Sequence, residues 1–113
     1  MELREDSVGG VTVLELKGRV DSTTAPDFGE RLVAILLAPR SRLLVDFHQV
    51  DYISSAGFRV LLVAAKRAED SGSRLALCRL PAKVRQLFDL GGFLDLFLVL
   101  ASREEAFAAL GQT

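Results

Sequence analysis

The chain contains a single cysteine, Cys78, and a single histidine, His48. One cysteine cannot close an internal disulfide, and Cys78 lies in an apolar alternation where it is expected to pack in the core. One histidine without clustered cysteines offers no ligand set for a metal. Charge of one sign is not in excess either: 14 Lys and Arg stand against 15 Asp and Glu, with a formal net charge of −1 and a pI near 5.8. A nucleic-acid binder is expected to carry a basic field or stripe, and none is present. Long hydrophobic runs are missing. The most apolar stretches, Leu32 to Ala38 and Phe58 to Ala65, fall short of the roughly 18–20 residues that span a bilayer, so no membrane insertion is expected. The start, Met1 to Asp6, is charged and lacks the apolar stretch of a secretory signal, which points to the cytoplasm. There are no repeats, low-complexity tracts or linker-like segments, and residues 1–113 are expected to form one domain. Neither a Gly-rich dinucleotide fingerprint nor a phosphate loop occurs, so no cofactor is expected.

What is present alternates between strand and helix signals. Glu2 to Val8 and Val11 to Lys17 flank Gly9-Gly10, a hairpin-turn dipeptide, and Gly18 is expected to end the second strand. Thr24 with Asp27 resembles a capping box, Pro26 suits a first helical turn, and Phe28, Leu32, Ile35 and Leu36 form an amphipathic stripe that Pro39 closes. Leu43 to Val45 are consecutively apolar, as in a central strand covered on both faces. His48 to Ile53 is read as a loop, and from Ser55 a helical pattern carries Phe58, Leu61, Leu62, Ala65 and Ala68 on one face until Ser71-Gly72-Ser73. Arg74 to Leu80 is a further strand, and Pro81 opens a short helix with Val84, Leu87 and Phe88 that Gly91-Gly92 ends. Phe93 to Ala101 reads as the last strand, and Ser102 with Glu105 caps a final helix bearing Phe107 and Leu110. The predicted architecture is α/β: an opening β-hairpin followed by βα units, giving a mixed, largely parallel sheet with about five strands and four helices. Sites in open sheets form beyond the carboxyl ends of the strands. Asp21 to Thr24, Asp46 to Ser55 and the Leu80-Pro81 turn should meet there.

Ser54 and Ser55 stand at the handover from strand to helix. Either hydroxyl can cap the helix, and either can serve as a phosphate acceptor, because a helix N-terminus favours negative charge. A Ser–His nucleophilic pair with His48 would make a small hydrolase, a remote alternative without a Gly-x-Ser-x-Gly elbow behind it.

Four stretches, in this order and spacing, resemble the STAS domain family and within it the bacterial anti-sigma factor antagonists. They are Gly18-Arg19-Val20-Asp21, Leu44-Val45-Asp46-Phe47, Tyr52 to Leu62, and Pro81 to Gly92. The resemblance implies a STAS-like fold and a partner switch, not an enzyme. The unphosphorylated protein would bind a GHKL-type serine kinase that is also an anti-sigma factor. The kinase would supply the ATP, phosphorylate a serine at the start of the second helix and so release the complex, and a PP2C-type phosphatase would reset it. A common form of the family motif is Asp-Ser-Ser-Gly; aligned on Gly57, this chain has Ser54-Ser55-Ala56-Gly57, with alanine in the usual acceptor slot. Ser55 is then the expected acceptor and Ser54 the alternative. The partner surface implied comprises Asp21, Ser22, Thr23, Asp51, Tyr52, Ser54, Ala56, Gly57, Phe58 and Arg59, on a protein expected to be monomeric when free. Asp46, with Asp21 and Asp51, would add like-charge repulsion to the phosphorylated state. The alanine keeps a second function in view: an unphosphorylated scaffold subunit of a transporter or sensor complex.

Overall fold

The computed structural model describes residues 1–111. Five strands form one sheet in sequential order: β1 (Glu2–Val8), β2 (Val11–Val20), β3 (Arg42–Ile53), β4 (Arg74–Cys78) and β5 (Leu98–Leu100). The hairpin pair β1–β2 is antiparallel and every later pair is parallel. Between them run α1 (Ala25–Leu36), α2 (Ser55–Ser71) and α3 (Ala82–Leu90), with α4 (Arg103–Leu110) last. Right-handed crossovers between strands laid down in sequential order put their connecting helices on one face. The main core follows from that, joining Leu14, Leu16, Val45 and Phe47 of the sheet to Phe28, Leu32, Leu61, Val84 and Phe88 of α1, α2 and α3. On the other face α4 covers a smaller cluster of Val11, Val13, Leu44, Ala76 and Cys78 through Ala106 and Leu110. Strands β2 and β3 are therefore buried on both sides over part of their length, which is why Leu43 to Val45 cannot alternate.

Several local expectations are corrected. The segment His48 to Ile53 is not a loop but the second half of β3. Pairing with β2 shifts register twice there, each time with an extra residue in β3. Bulges of this kind break the period-2 signal, leaving both His48 and Gln49 exposed. Strand β2 passes through Gly18 to Val20, and Gly18 adopts φ +104°, a conformation open to glycine. The last strand shrinks to Leu98–Leu100 because Leu94–Leu96 forms a 3-10 turn. Thr24 makes no side-chain cap to the α1 backbone. Leu62 faces out, 36% exposed, and Ala64 takes the buried position on α2. The Ser102–Glu105 box is formed, Ser102 Oγ accepting from Glu105 N at 3.1 Å. No helix among the described residues is long and apolar enough to cross a membrane.

Sequential strand order also removes a feature expected of the site. Crevices in open sheets arise where strand order reverses, and this sheet has no reversal. The carboxyl ends of β2 and β3 form an open rim.

Candidate functional site: the rim at the start of α2

The rim is built from the last residues of two paired strands. Val20 lies opposite Ile53, and the next amide, Ser54 N, donates to Val20 O at 2.9 Å. That bond fixes the start of α2 against the β2–α1 connection, so the structure brings Asp21 to Thr24 and Ser54-Ser55 together as expected. The connection is itself locked. Asp21 Oδ1 accepts from Thr23 Oγ1 at 2.7 Å, Thr23 N at 3.0 Å and Thr24 N at 3.2 Å. Thr24 Oγ1 accepts from Asp21 N and donates to Arg19 O, both at 2.9 Å. Asp21 therefore takes the Thr24 amide that Asp27 was expected to hold, while no side chain caps α1 itself. The hydrogen bond from the Thr23 hydroxyl, followed by that from the Thr23 amide, lowers the Asp21 carboxyl to about 2. Arg19 completes the rim, its guanidinium 4.5 Å from the Tyr52 ring centroid and its Nε 3.7 Å from Asp21 Oδ2. Ser22, Thr23 and Asp51 are exposed beside it.

The two serines differ sharply. Ser54 is the N-cap of α2, yet its side chain makes no cap bond, and its Oγ is shielded from solvent without a hydrogen-bond partner. Ser55 is the first helical residue and is exposed. Behind them α2 lies close to the sheet. A Cβ on Gly57 would sit 2.6 Å from Ile53 Cγ1 and 2.9 Å from Val20 Cγ1. Gly57 is required by this inward approach and is buried, so it does not lie on the partner surface that was expected to include it. Phe58 is also turned inward, 7% exposed, stacked on Phe93 with centroids 4.4 Å apart and edge-on to Phe88 at 4.8 Å. Its contribution to the rim is to tie the first turn of α2 to α3. Ala56 is half-buried and Arg59 exposed.

Asp46 does not belong to this site. It lies on the α4 face, fully buried, bonded by Arg79 Nη2 at 2.5 Å, Arg103 Nε at 2.7 Å and His48 N at 2.9 Å. Arg103 Nη2 continues to Glu15 Oε2 at 2.6 Å. Burial alone would raise the Asp46 carboxyl. The Arg79, His48 and Arg103 hydrogen bonds outweigh burial and hold it below the usual carboxylate range. Its charge is neutralised on the far side of the sheet and adds no repulsion at the rim. Neighbouring Cys78 is pushed up to about 12 by burial and by the Asp46 charge, an inert core thiol. His48 exposes its side chain, and among the described residues no hydrogen bond joins it to Ser54 or Ser55.

One surface was not anticipated. An apolar groove of about 670 Å³ runs between α1 and α2 from Ala25 and Pro26 past Gly29 and Val33, with Val60 and Val63 opposite. Its charged lining residues are Glu30 on α1 and Arg59 on α2. The available signal was Val63 and Leu37, apolar residues outside the core stripes, which are 51% and 66% exposed.

Comparison with known proteins finds the same fold. The family model described as "Mlab, STAS domain" matches residues 3–100. A Bordetella bronchiseptica protein named "Putative anti-sigma factor antagonist BtrV" is 39% identical over 109 residues, covering 96% of this chain and 94% of that protein. An anti-sigma-factor antagonist (STAS) domain protein from Planctomyces limnophilus superposes with a TM-score of 0.84 at 18% identity, covering 96% of this chain and 97% of that one. Phosphorylated SpoIIAA from Bacillus superposes with a TM-score of 0.69 at 16% identity, covering 96% and 98% of the two chains.

Proposed function

We propose that this chain, which belongs to the STAS domain family, is an anti-sigma factor antagonist working as a phosphorylation-controlled partner switch with Ser55 as its acceptor. The observation that carries the reading is the contrast between an exposed Ser55 on the first turn of α2 and a shielded Ser54 hydroxyl beside it. Unphosphorylated, the rim of Asp21, Ser22, Thr23, Asp51, Tyr52, Ala56 and Arg59 binds a GHKL-type serine kinase that is also an anti-sigma factor, in the cytoplasm. The kinase brings its own ATP. A bond forms between Ser55 Oγ and the γ-phosphorus as the bond to the departing ADP oxygen breaks, and the hydroxyl proton passes to the kinase's base. The chain contributes an acceptor and a docking surface, not catalytic groups. The phosphate adds about −1.5 to −2 charges. The first turn of α2 accommodates them through its free amides, so the domain stays folded. The cost falls on the desolvated contact, where roughly 2.7 kcal/mol is a hundredfold loss of affinity. A PP2C-type phosphatase restores the binding form.

The test is incubation with the GHKL-type kinase of the same organism and ATP, followed by tandem mass spectrometry. Ser55 is modified, Ser54→Ala leaves modification intact, and Ser55→Ala abolishes it. An unmodified Ser55 under conditions where the kinase phosphorylates another STAS protein refutes the reading. Ala56 in the usual acceptor slot favours a second reading, a permanently bound scaffold subunit. In that case Ser55→Asp would leave partner affinity within about twofold, against a loss of tenfold or more for a switch.

A further inference from the structure

The rim contains a cation positioned for the modification that Ser55 is proposed to carry. Ser55 and Arg59 are four residues apart on α2, and both are exposed. Residues at this spacing are neighbours on a helix surface, and an anion one turn N-terminal to a cation is the favourable orientation. Arg59 is free: among the described residues it makes no ion pair, while Arg19 is held over Tyr52 and beside Asp21. Apart from Arg19, the charged groups of the rim and the groove besides Arg59 are Asp21 after β2, Asp51 near the end of β3 and Glu30 on α1, all acidic.

We propose that Arg59 is the phosphate's counter-ion within the helix, taking the phosphoryl group on Ser55 through its guanidinium and thereby reversing the charge at the mouth of the α1–α2 groove. The inference rests on the reading of Ser55 as the acceptor and adds how the mark is held and displayed. A guanidinium presents paired N–H donors that match phosphate oxygens, so the pair has a defined geometry as well as an attraction. Arg59 is also the cation lining the groove. Before modification, a partner at the α2 side of the groove meets the positive charge of Arg59, with Glu30 on α1. Afterwards the same spot carries roughly −0.5 to −1, the sum of one guanidinium and a phosphate of about −1.5 to −2. The signal thus extends one helical turn from Ser55 and needs no change of backbone. An isolated phosphate on the amides of α2 would leave the Arg59 charge on the groove lining without its counter-ion.

The test uses the full chain with phosphoserine incorporated translationally at position 55, so that it needs no kinase. The second ionisation of the phosphate is followed by phosphorus NMR against pH. With Arg59 as counter-ion, Arg59→Gln raises the second pKa by about 0.3 at about 0.01 M salt, an amount in keeping with an exposed i,i+4 pair, and the difference disappears near 1 M salt. Arg85→Gln, which removes the same charge from exposed α3, leaves the value unchanged. The α2 amides contribute equally to every variant, so the difference isolates the guanidinium. An unchanged second pKa in Arg59→Gln, or a full shift produced by Arg19→Gln instead, overturns the proposal. Because the phosphate is placed by translation, a failed pairing and a kinase that ignores Ser55 are separate results.

Discussion

Replacing Gly57 by alanine sets two well-known effects against each other. Alanine is favoured over glycine by about 1 kcal/mol in a helix interior, an upper bound at Gly57, the third residue of α2. The new Cβ, however, would stand 2.6 Å from Ile53 Cγ1 and 2.9 Å from Val20 Cγ1. Both distances are well inside the optimum of about 3.5–4.0 Å between carbon atoms. Neither neighbour can swing out into solvent, since Ile53 is 1% and Val20 0% exposed. Overpacking of this kind costs about 1–3 kcal/mol. With two side chains displaced at once the upper part of that range applies, and net destabilisation of about 1–2 kcal/mol is expected. Urea unfolding followed by circular dichroism measures it directly, and Tm should fall by about 4 °C for each kcal/mol. The displaced residues are also the pair whose strand ends fix Ser54 N on Val20 O. With Ser55 as the proposed acceptor, its phosphorylation should therefore slow along with the loss of stability. A cycle with Ile53→Ala separates packing from propensity: the double variant should cost less than the two single variants together by about 0.5–3 kcal/mol, because the added methyl enters the vacated space. A Gly57→Ala protein more stable than the parent by the full propensity gain would show that α2 does not lie against the sheet as closely as described.

Four further outcomes follow from the same structure. Ser54→Ala should leave stability within about 0.5 kcal/mol or raise it, since the hydroxyl is shielded and unpaired. Ser102→Ala, which removes a formed cap at 3.1 Å, should cost about 1 kcal/mol; paired thermal melts compare the two. Asp46→Ala should destabilise by about 2–3 kcal/mol in urea titrations. That is below the usual 3–5 for a broken buried pair, because Arg79 and Arg103 are 34% and 29% exposed and can turn to water. In acid, Asp21 and Asp46 both have folded pKa values below their unfolded ones. Their contribution is complete above about pH 4 and is lost as pH falls through the folded values, toward about 2 for Asp21. The Asp46→Ala protein should show a shallower loss of Tm over that interval than the parent.

The local punctuation of this chain was legible because each signal acts within a few residues. Gly9-Gly10, Pro26, Gly72 and the Ser102–Glu105 box mark real boundaries. Regions that depend on a partner strand were not. The second half of β3 has no alternation to read because its two register shifts are fixed by β2, whose partner residues lie more than thirty positions earlier. Asp46 reads as a site residue from its place at the end of an apolar run. Only the fold reveals the two arginines that neutralise it, 33 and 57 residues away, and the Glu15 that Arg103 reaches across 88. The serine pair lay between these cases. Sequence placed both at the helix start, but which hydroxyl is shielded depends on how α2 is held by Val20 and Ile53.

That division between the two faces bears on how the proposed switch would operate without loosening the domain. The strongest buried charges, around Asp46, lie under α4 and join β2, β3, the end of β4 and α4. The rim at α2 has a different economy. Asp21 satisfies its carboxylate on its own loop, Val20 O holds Ser54 N, and Phe58 ties the first turn to Phe88 and Phe93. None of these contacts uses the Ser55 side chain, which is exposed and makes no hydrogen bond among the described residues. A phosphate added there breaks no native bond and meets a helix end that favours it. Its free energy is then directed outward, at whatever lies against the rim. In a sheet with a switch-point crevice the same charge would enter a concave site and act on a small ligand. On an open rim beside an apolar groove it would act on a surface large enough to be a protein's, which is the physical reason a sequentially ordered sheet suits the proposed partner switch.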